Sequence, residues 1–524
     1  VTSALGGYEA VVGNVLIEPV PARRAGSDSA DAQPTRARLH DVRDLVVVAH
    51  RGPVRFATVD STSVIERNGG GLVTALRDVM RHAREPRFVC AASTDEDRIA
   101  AAAGWRRVEL GDDACRVRML ELDARAHHDF YGVIANPLLW FIQHRLWDGT
   151  QPPFGRRELA AWECGYVPVN RAFARALVDP DDVPPDSVVM VHDYHFYLVP
   201  GFLRSERPDL FVHFFVHIPW PEPDAWTPLP PPIRRQLFRG LLGSDIVGFQ
   251  TARDARNFLL GCGALPGVDV DFERSSVRVG ERTVAIRHYP ISIDESSLRE
   301  VAAAPEVMQR EQELMARRAE RLLVRVDRTD PSKNVVRGFM AFDRLLELNP
   351  DLEGHVSFLA LLQPSRQDVP EYAAYLREIE MTVADINRRR ERPGWTPIDL
   401  RFGDDMALVV AAYKAFDVLM VNSIRDGMNL VCKEGLLLNE RDGVIALSEE
   451  AGAHEELGAI AVSLSPLDVE QQAHALHEAL HLPPSERGTR HSIGVDIVRT
   501  NDVHKWLQHQ LLDIQLMGRR RVRL

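Results

Sequence analysis

The sequence predicts an α/β protein built from two doubly wound, Rossmann-like domains that face each other across a cleft. Three observations carry this. Short runs rich in Val, Ile, Leu and Phe recur along the chain, amphipathic segments separate them, and the runs fall into two series. Near-continuous apolar runs are what strands look like when helices cover both faces of a parallel sheet. The first series is DLVVVAH (44–50), RFVCAAS (87–93), SVVMVHD (187–193), VHFFVHI (212–218) and DIVGFQ (245–250). The second is RLLVRVDR (321–328), VSFLALLQ (356–363), IDLRF (398–402), DVLMVNS (417–423), GVIALS (443–448) and AIAVSLS (459–465). Helices are expected over 335–348 and 370–390, with a linking helix over 300–318. The chain then divides into a lead-in, 1–40, a first domain, 41–300, a second, 301–500, and a closing helix, 501–524, that crosses back to the first domain.

The bulk numbers agree. A chain of 524 residues is too long for one ordinary core, and 45% hydrophobic with 26% charged residues is the composition of a soluble globular protein. A net charge of −12 argues against a nucleic-acid partner. The five cysteines are scattered without metal-ligand spacing, so they read as thiols in a reducing compartment. No apolar stretch reaches the roughly 18 residues of a membrane span. The first 40 residues, rich in Ala, Arg, Asp, Ser and Pro, contain no apolar core of a signal peptide. The expected location is the cytoplasm, without membrane attachment. A homo-oligomer is compatible with all of this.

Ligands of open α/β sheets bind beyond the carboxyl ends of the strands. Those ends carry His50-Arg51, His192-Asp193, His217, Arg328 to Asp330, Gln363 to Arg366, Arg425-Asp426 and Glu449-Glu450. The layout suits an anion and several sugar hydroxyls. RNGGGLVTAL (67–76) is a glycine turn opening a helix, which either cradles a phosphate or only packs tightly. In VHDYHFYLVP (191–200), His192, Asp193 and His195 lack the HExxH spacing of a metal site. Asp193 is read instead as an acceptor for substrate hydroxyls, with the two histidines structural. In VRVDRTDPSKN (324–334), Arg328 and Lys333 stand beside a helix start, where two cations can hold a diphosphate and stabilise its charge as it leaves. RDGMNLVCKE (425–434) ends a buried strand and opens a helix, with Gly427 permitting close backbone approach and Glu434 about two turns on.

These motifs, with YGVIANPLLW (131–140), HIPWP (217–221), GFQT (248–251), PSRQDV (364–369) and SEEAGAHEEL (448–457), run in the order found in the trehalose-6-phosphate synthases. The chain resembles that family, retaining glycosyltransferases of the GT-B fold, from about residue 44 to 515. The resemblance implies that Arg328 and Lys333 hold the diphosphate of a nucleotide-linked glucose. Asn429 and Leu430 cap it from the helix start, and Gly70 and Gly71 match the family's glycine turn. Glu434 matches the carboxylate on the ribose, and Asp426, Gly427 and Met428 face the donor glucose. His217 matches the histidine on its 6-hydroxyl, and Asp193 the carboxylate beside the acceptor. Arg51, Tyr131, Trp140 and Arg366 match the pocket for glucose 6-phosphate, where guanidinium suits phosphate and an aromatic face suits a sugar ring.

The implied mechanism needs neither metal nor cofactor: the leaving phosphate takes the acceptor proton on the face of attack, and catalysis comes from positioning and charge. Two departures stand out. Family members usually read DYSKG where this chain has DPSKN (330–334), a form similar to the validoxylamine-phosphate synthases, which couple a nucleotide-linked cyclitol to an aminocyclitol phosphate. FGDDMALV (402–409) stands where some relatives carry an Arg-Lys pair near the base, which favours GDP-glucose over UDP-glucose. A third reading, a catalytically dead regulatory homologue, is opposed by the intact Arg328, Lys333, Asp426 and Glu434.

Overall fold

The computed structural model describes residues 44–59, 62–67, 86–110, 113–147 and 154–521. Each of the eleven apolar runs contains a strand, and together these form the parallel centres of two sheets. The first sheet has ten strands in the spatial order Val268–Asp271, Ser276–Val279, Arg282–His288, Ile246–Phe249, Phe211–Phe215, Val188–His192, Leu45–Val48, Arg87–Ala91, Asp113–Leu120 and Trp105–Leu110. Its centre is parallel, with Val46 level with both Val189 and Arg87. Leu45–Val48, Arg87–Ala91, Val188–His192, Phe211–Phe215 and Ile246–Phe249 are buried along their whole length, which explains why Arg87, His192 and His213 are their only polar side chains.

The margins differ from an all-parallel sheet. Trp105–Leu110 runs antiparallel to Asp113–Leu120, and the three strands from Val268 to His288 form an antiparallel meander. A separate hairpin pairs Val54–Val59 with Thr62–Arg67. The second sheet is wholly parallel, in the order Ile398–Phe402, Val356–Gln363, Arg321–Arg328, Val418–Val421, Val444–Ser448 and Val462–Leu464.

Helices Val335–Leu348 and Pro370–Arg390 occupy the expected ranges. The expected single linking helix is instead two, Glu295–Ala302 and Pro305–Arg317. Pro305 causes the break: it forces Ala304 into an extended conformation (ψ 142°) and takes the first helical position itself. The last helix, Val503–Arg521, lies on the first sheet, where Trp506 meets Phe215 edge-on and Asp513 accepts a hydrogen bond from Tyr289. Among the described residues, no helix is long and apolar enough to cross a membrane.

Candidate active site

Strand order decides where a site can form. In the first sheet the chain builds outward from Leu45–Val48 on one side and from Val188–His192 on the other, so the crevice opens beyond those two strands. His50 and Arg51 follow the first, and Asp193 follows the second. In the second sheet the reversal falls between Arg321–Arg328 and Val418–Val421, which lead to Arg328, Lys333 and Asp426. Two adjoining cavities occupy these crevices and share Arg328, Lys333 and Gln363.

The larger cavity, ≈ 780 Å³, is lined by Arg51, Tyr131, Trp140, Asp193, His217, Arg366 and Asp426, among others. Tyr131 comes from a π-helical segment, His128–Leu139, whose Asn136 accepts from the Tyr194 hydroxyl at 2.7 Å and so ties the segment to the HDYH turn. Wide π turns recur at functional sites. Asp193 and Arg366 both adopt left-handed backbone, φ 74° and 48°. Such positions cost about 1–3 kcal/mol each and cluster at ligand sites. The second cavity, ≈ 530 Å³, is lined by Glu434, Leu430, Tyr413 and the turn from Arg401 to Met406. Tyr413 donates to Glu434 at 3.0 Å. Burial still raises the Glu434 pKa above the ordinary 4.5.

The charges at the junction are unequal. Lys333 lies 2.5 Å from Asp426 and 4.0 Å from Asp327. Burial opposes both charges of the Lys333–Asp426 pair, yet the pairing outweighs it, raising the lysine pKa and lowering that of Asp426. Arg328 makes no ion pair within 4.0 Å among the described residues, and its guanidinium lies 5.9 Å from the Trp140 ring. Arg328 is therefore the cation available to an incoming anion, whereas Lys333 must be released from Asp426 first.

Asp193 carries a testable signature. Burial pushes its carboxyl up to about 6, although the backbone N–H groups of Tyr194, His217 and Ile218 and the Arg366 charge favour the ionised form. In its expected role as partner of a substrate hydroxyl the carboxylate is the working form, so kcat/KM is expected to fall as pH drops through about 6. Stability runs the other way, because the folded-state pKa lies above the ordinary 3.8: the favourable contribution is full below 3.8 and lost by about 6. A rate profile flat across this range would show that the charge is not used.

Several of the expected site residues are already engaged by the protein itself. Trp140 lines the larger cavity but is already packed: His144 stacks on it at 4.0 Å, the Arg366 guanidinium lies 4.2 Å from its ring, and its indole N–H donates to Asp330 at 3.3 Å. Both ring nitrogens of His217 are engaged, Nε2 with His192 at 3.1 Å and Nδ1 with Gln250 at 3.4 Å, so neither is free for a sugar hydroxyl in this state. Gly427, Met428 and Asn429 line neither cavity. Met428 is buried, Asn429 donates to Asp426 at 3.1 Å, and Gly427 is pressed against the His217 backbone. Gly70 and Gly71 lie outside the described residues.

The polar turn RDG thus serves the junction of the two halves. Arg425, 2% exposed, forms a bidentate pair with Glu222 at 2.9 and 3.1 Å. Sequence reasoning missed Glu222, His144, Asp327 and Tyr413, because no local pattern marks a partner that distant chain brings near. The DPSKN departure is a backbone matter. Asn334 holds φ 58°, a conformation glycine takes easily and asparagine tolerates, and its amide donates to the carbonyls of Asn422 and Pro466 at 2.9 and 2.6 Å. Neither Pro331 nor Asn334 lines either of these two cavities. Among the described residues, no group of three His, Cys, Asp or Glu is placed to hold a metal ion.

The model of glycosyltransferase family 20 matches residues 43–516. The chain belongs to that family. It is 30% identical over 494 residues to a probable UDP-forming alpha,alpha-trehalose-phosphate synthase 2 of Arabidopsis thaliana, covering 91% of this chain and 57% of the relative. Of that relative and three others, the chain spans only 51 to 62% of the length. A validamine 7-phosphate valienyltransferase of Streptomyces hygroscopicus is 32% identical over 434 residues, 81% of this chain and 84% of that one. Among solved structures, an E. coli trehalose-6-phosphate protein bound with UDP-2-fluoro glucose superposes with a TM-score of 0.77 at 28% identity, covering 90% of this chain and 98% of that one. The UDP-forming alpha,alpha-trehalose-phosphate synthase of Burkholderia xenovorans in complex with glucose-6-phosphate gives 0.75 at 28%, covering 90% and 100%. This family member has the mixed α/β GT-B architecture expected from its sequence.

Proposed function

We propose that the chain transfers glucose, with retention, from a nucleoside diphosphate glucose to glucose 6-phosphate, forming alpha,alpha-trehalose 6-phosphate. One observation carries the reading: Arg328 stands where the two cavities meet, between a chamber with Arg51 and Arg366 and one with Glu434. The first suits a sugar phosphate and the second a nucleotide ribose. The relatives named as trehalose-phosphate synthases, and the solved structures holding UDP-2-fluoro glucose and glucose-6-phosphate, support the same substrates.

The residues present suit a front-face transfer. Asp426 is held by Lys333, and Asp193 accepts from the His217 N–H at 3.1 Å, so neither central carboxylate is poised as a nucleophile. The bond from glucose C1 to the diphosphate breaks while the acceptor oxygen bonds to C1 on the same face, and the acceptor proton passes to the leaving phosphate oxygen. Arg328 supplies the positive charge that the departing diphosphate needs, without a metal or cofactor.

For the base, the UDP-forming relatives support uracil, and this chain's own lining supports guanine. Asp404 lines the second cavity, with no ion-pair partner for its carboxylate among the described residues. A carboxylate accepts from N1–H and N2–H of guanine and repels the two carbonyl oxygens of uracil. The reading follows the lining: GDP-glucose is the favoured donor. The test is product formation from glucose 6-phosphate with GDP-glucose and UDP-glucose in parallel, without added metal. Trehalose 6-phosphate from GDP-glucose is expected. Product from UDP-glucose alone would overturn the base assignment and leave the transfer standing. Tight binding with no product from either would turn the reading to cyclitol coupling.

A further inference from the structure

We propose that Gln250 is a positioning residue that fixes His217 in its Nε2–H tautomer, through a hydrogen-bond chain anchored where the polypeptide crosses between the two sheets. The chain is continuous. The backbone N–H of Ile291, in that crossover, donates to Gln250 Oε1 at 3.0 Å. Gln250 Nε2 lies 3.4 Å from His217 Nδ1, and His217 Nε2 lies 3.1 Å from His192 Nδ1. On the other side of the same peptide, the Ile291 carbonyl accepts from the Lys433 ammonium at 2.9 Å, and Glu456 holds that ammonium at 2.6 Å.

Donor and acceptor roles follow from one end. A peptide N–H can only donate, so the Gln250 oxygen faces Ile291 and the amide NH2 faces His217. An amide NH2 can only donate, so His217 Nδ1 holds a lone pair. The imidazole proton then sits on Nε2 and points to His192 Nδ1. This assignment requires a neutral ring. Burial, followed by the neighbouring His192, drives the His217 pKa well below its ordinary value, and burial lowers that of His192 to about 3. Gln250 is 2% exposed and His192 1%, so bulk water does not offer substitute partners. In the chain's last link, His192 carries its own proton on Nε2, which is buried without a partner among the described residues.

His217 lines the larger cavity, so its tautomer decides what it offers a ligand there. With Nδ1 capped by Gln250, the ring's one exchangeable contact is the Nε2–H now given to His192. It serves as a neutral donor to a hydroxyl oxygen and not as a general base. The kinetic consequence rests on the transferase reading above, whereas the tautomer assignment does not.

The test is 15N NMR of the full chain labelled at histidine, with His217 assigned by difference against His217→Gln. The wild-type ring should show a protonated Nε2 and an unprotonated Nδ1. Gln250→Glu keeps the size and can still accept from Ile291, but presents a carboxylate oxygen to Nδ1, so the His217 tautomer should invert. Turnover should fall at least ~10-fold with the KM for glucose 6-phosphate little changed, because a donor used mainly in the transition state is lost. A wild-type Nδ1–H signal, or an unchanged tautomer in folded Gln250→Glu, overturns the proposal. The wild-type spectrum decides even if the variant fails to fold. Absence of turnover in the wild type, with the Nε2–H signal present, would fault the transferase reading and leave the tautomer assignment in place.

Discussion

Replacing Arg328 with alanine is expected to lower kcat by about 10²–10³-fold, the range seen when one preorganised charge-stabilising donor is removed. The guanidinium ends the strand Arg321–Arg328 and lines both cavities, where the proposed transfer has the diphosphate leave as the acceptor attacks. The expectation is this large because Lys333 cannot simply take over. Its charge is balanced by Asp426 at 2.5 Å, so freeing it for a phosphate strands a buried carboxylate. Arg328→Lys should recover only part of the loss, since an ammonium cannot bridge two phosphate oxygens as a planar fork does. Steady-state rates with saturating donor and acceptor provide the measurement. Turnover that survives Arg328→Ala would remove this residue from the diphosphate role.

Gly427→Ala should be nearly as damaging, for a steric reason. A Cβ at Gly427 would lie 2.0 Å from the His217 carbonyl oxygen, 3.0 Å from its carbonyl carbon and 3.2 Å from the Ile218 Cα. All three are backbone atoms of a strand end, so no side chain can swing aside. The two sheets must part by more than a rotamer change allows, and overpacking of this kind costs about 1–3 kcal/mol or more. The separation would also pull Arg425 from Glu222 and shift Arg328 and Asp426 relative to Asp193. We expect kcat/KM to fall by more than ~10-fold, together with a lower unfolding temperature. Normal kinetics in a folded Gly427→Ala protein would show that the two halves do not need this contact in the reacting state.

Much of the architecture was legible because burial in layers leaves a local imprint. Phe211–Phe215 and Val444–Ser448 are buried along their whole length, so apolar residues fill every position but His213 and Ser448 and the runs stand out. The marginal strands carry no such imprint. Trp105–Leu110, the last strand at one edge of the first sheet, reads WRRVEL, half of it charged, so no apolar run marks it. The break at Ala304 was marked by Pro305, but the charged, helix-favouring sequence on either side concealed it. At the site, strand-end positions such as Arg51, Asp193, Arg328 and Arg366 were found, because a doubly wound sheet sends its polar turns to one edge.

What the sequence determined by itself is therefore the layered α/β design, the edge on which the chemistry gathers and the residue types collected there. All of these follow from which stretches must be dry and which wet. The tertiary structure alone decided the partnerships: Lys333 with Asp426, Tyr413 with Glu434, Arg425 with Glu222, Arg366 against Trp140, and Gln250 between Ile291 and His217. Arg425 and Glu222 lie 203 positions apart in the chain. Whether a cation is free or already neutralised depends on a separation of a few ångströms through space, which local composition and spacing do not encode.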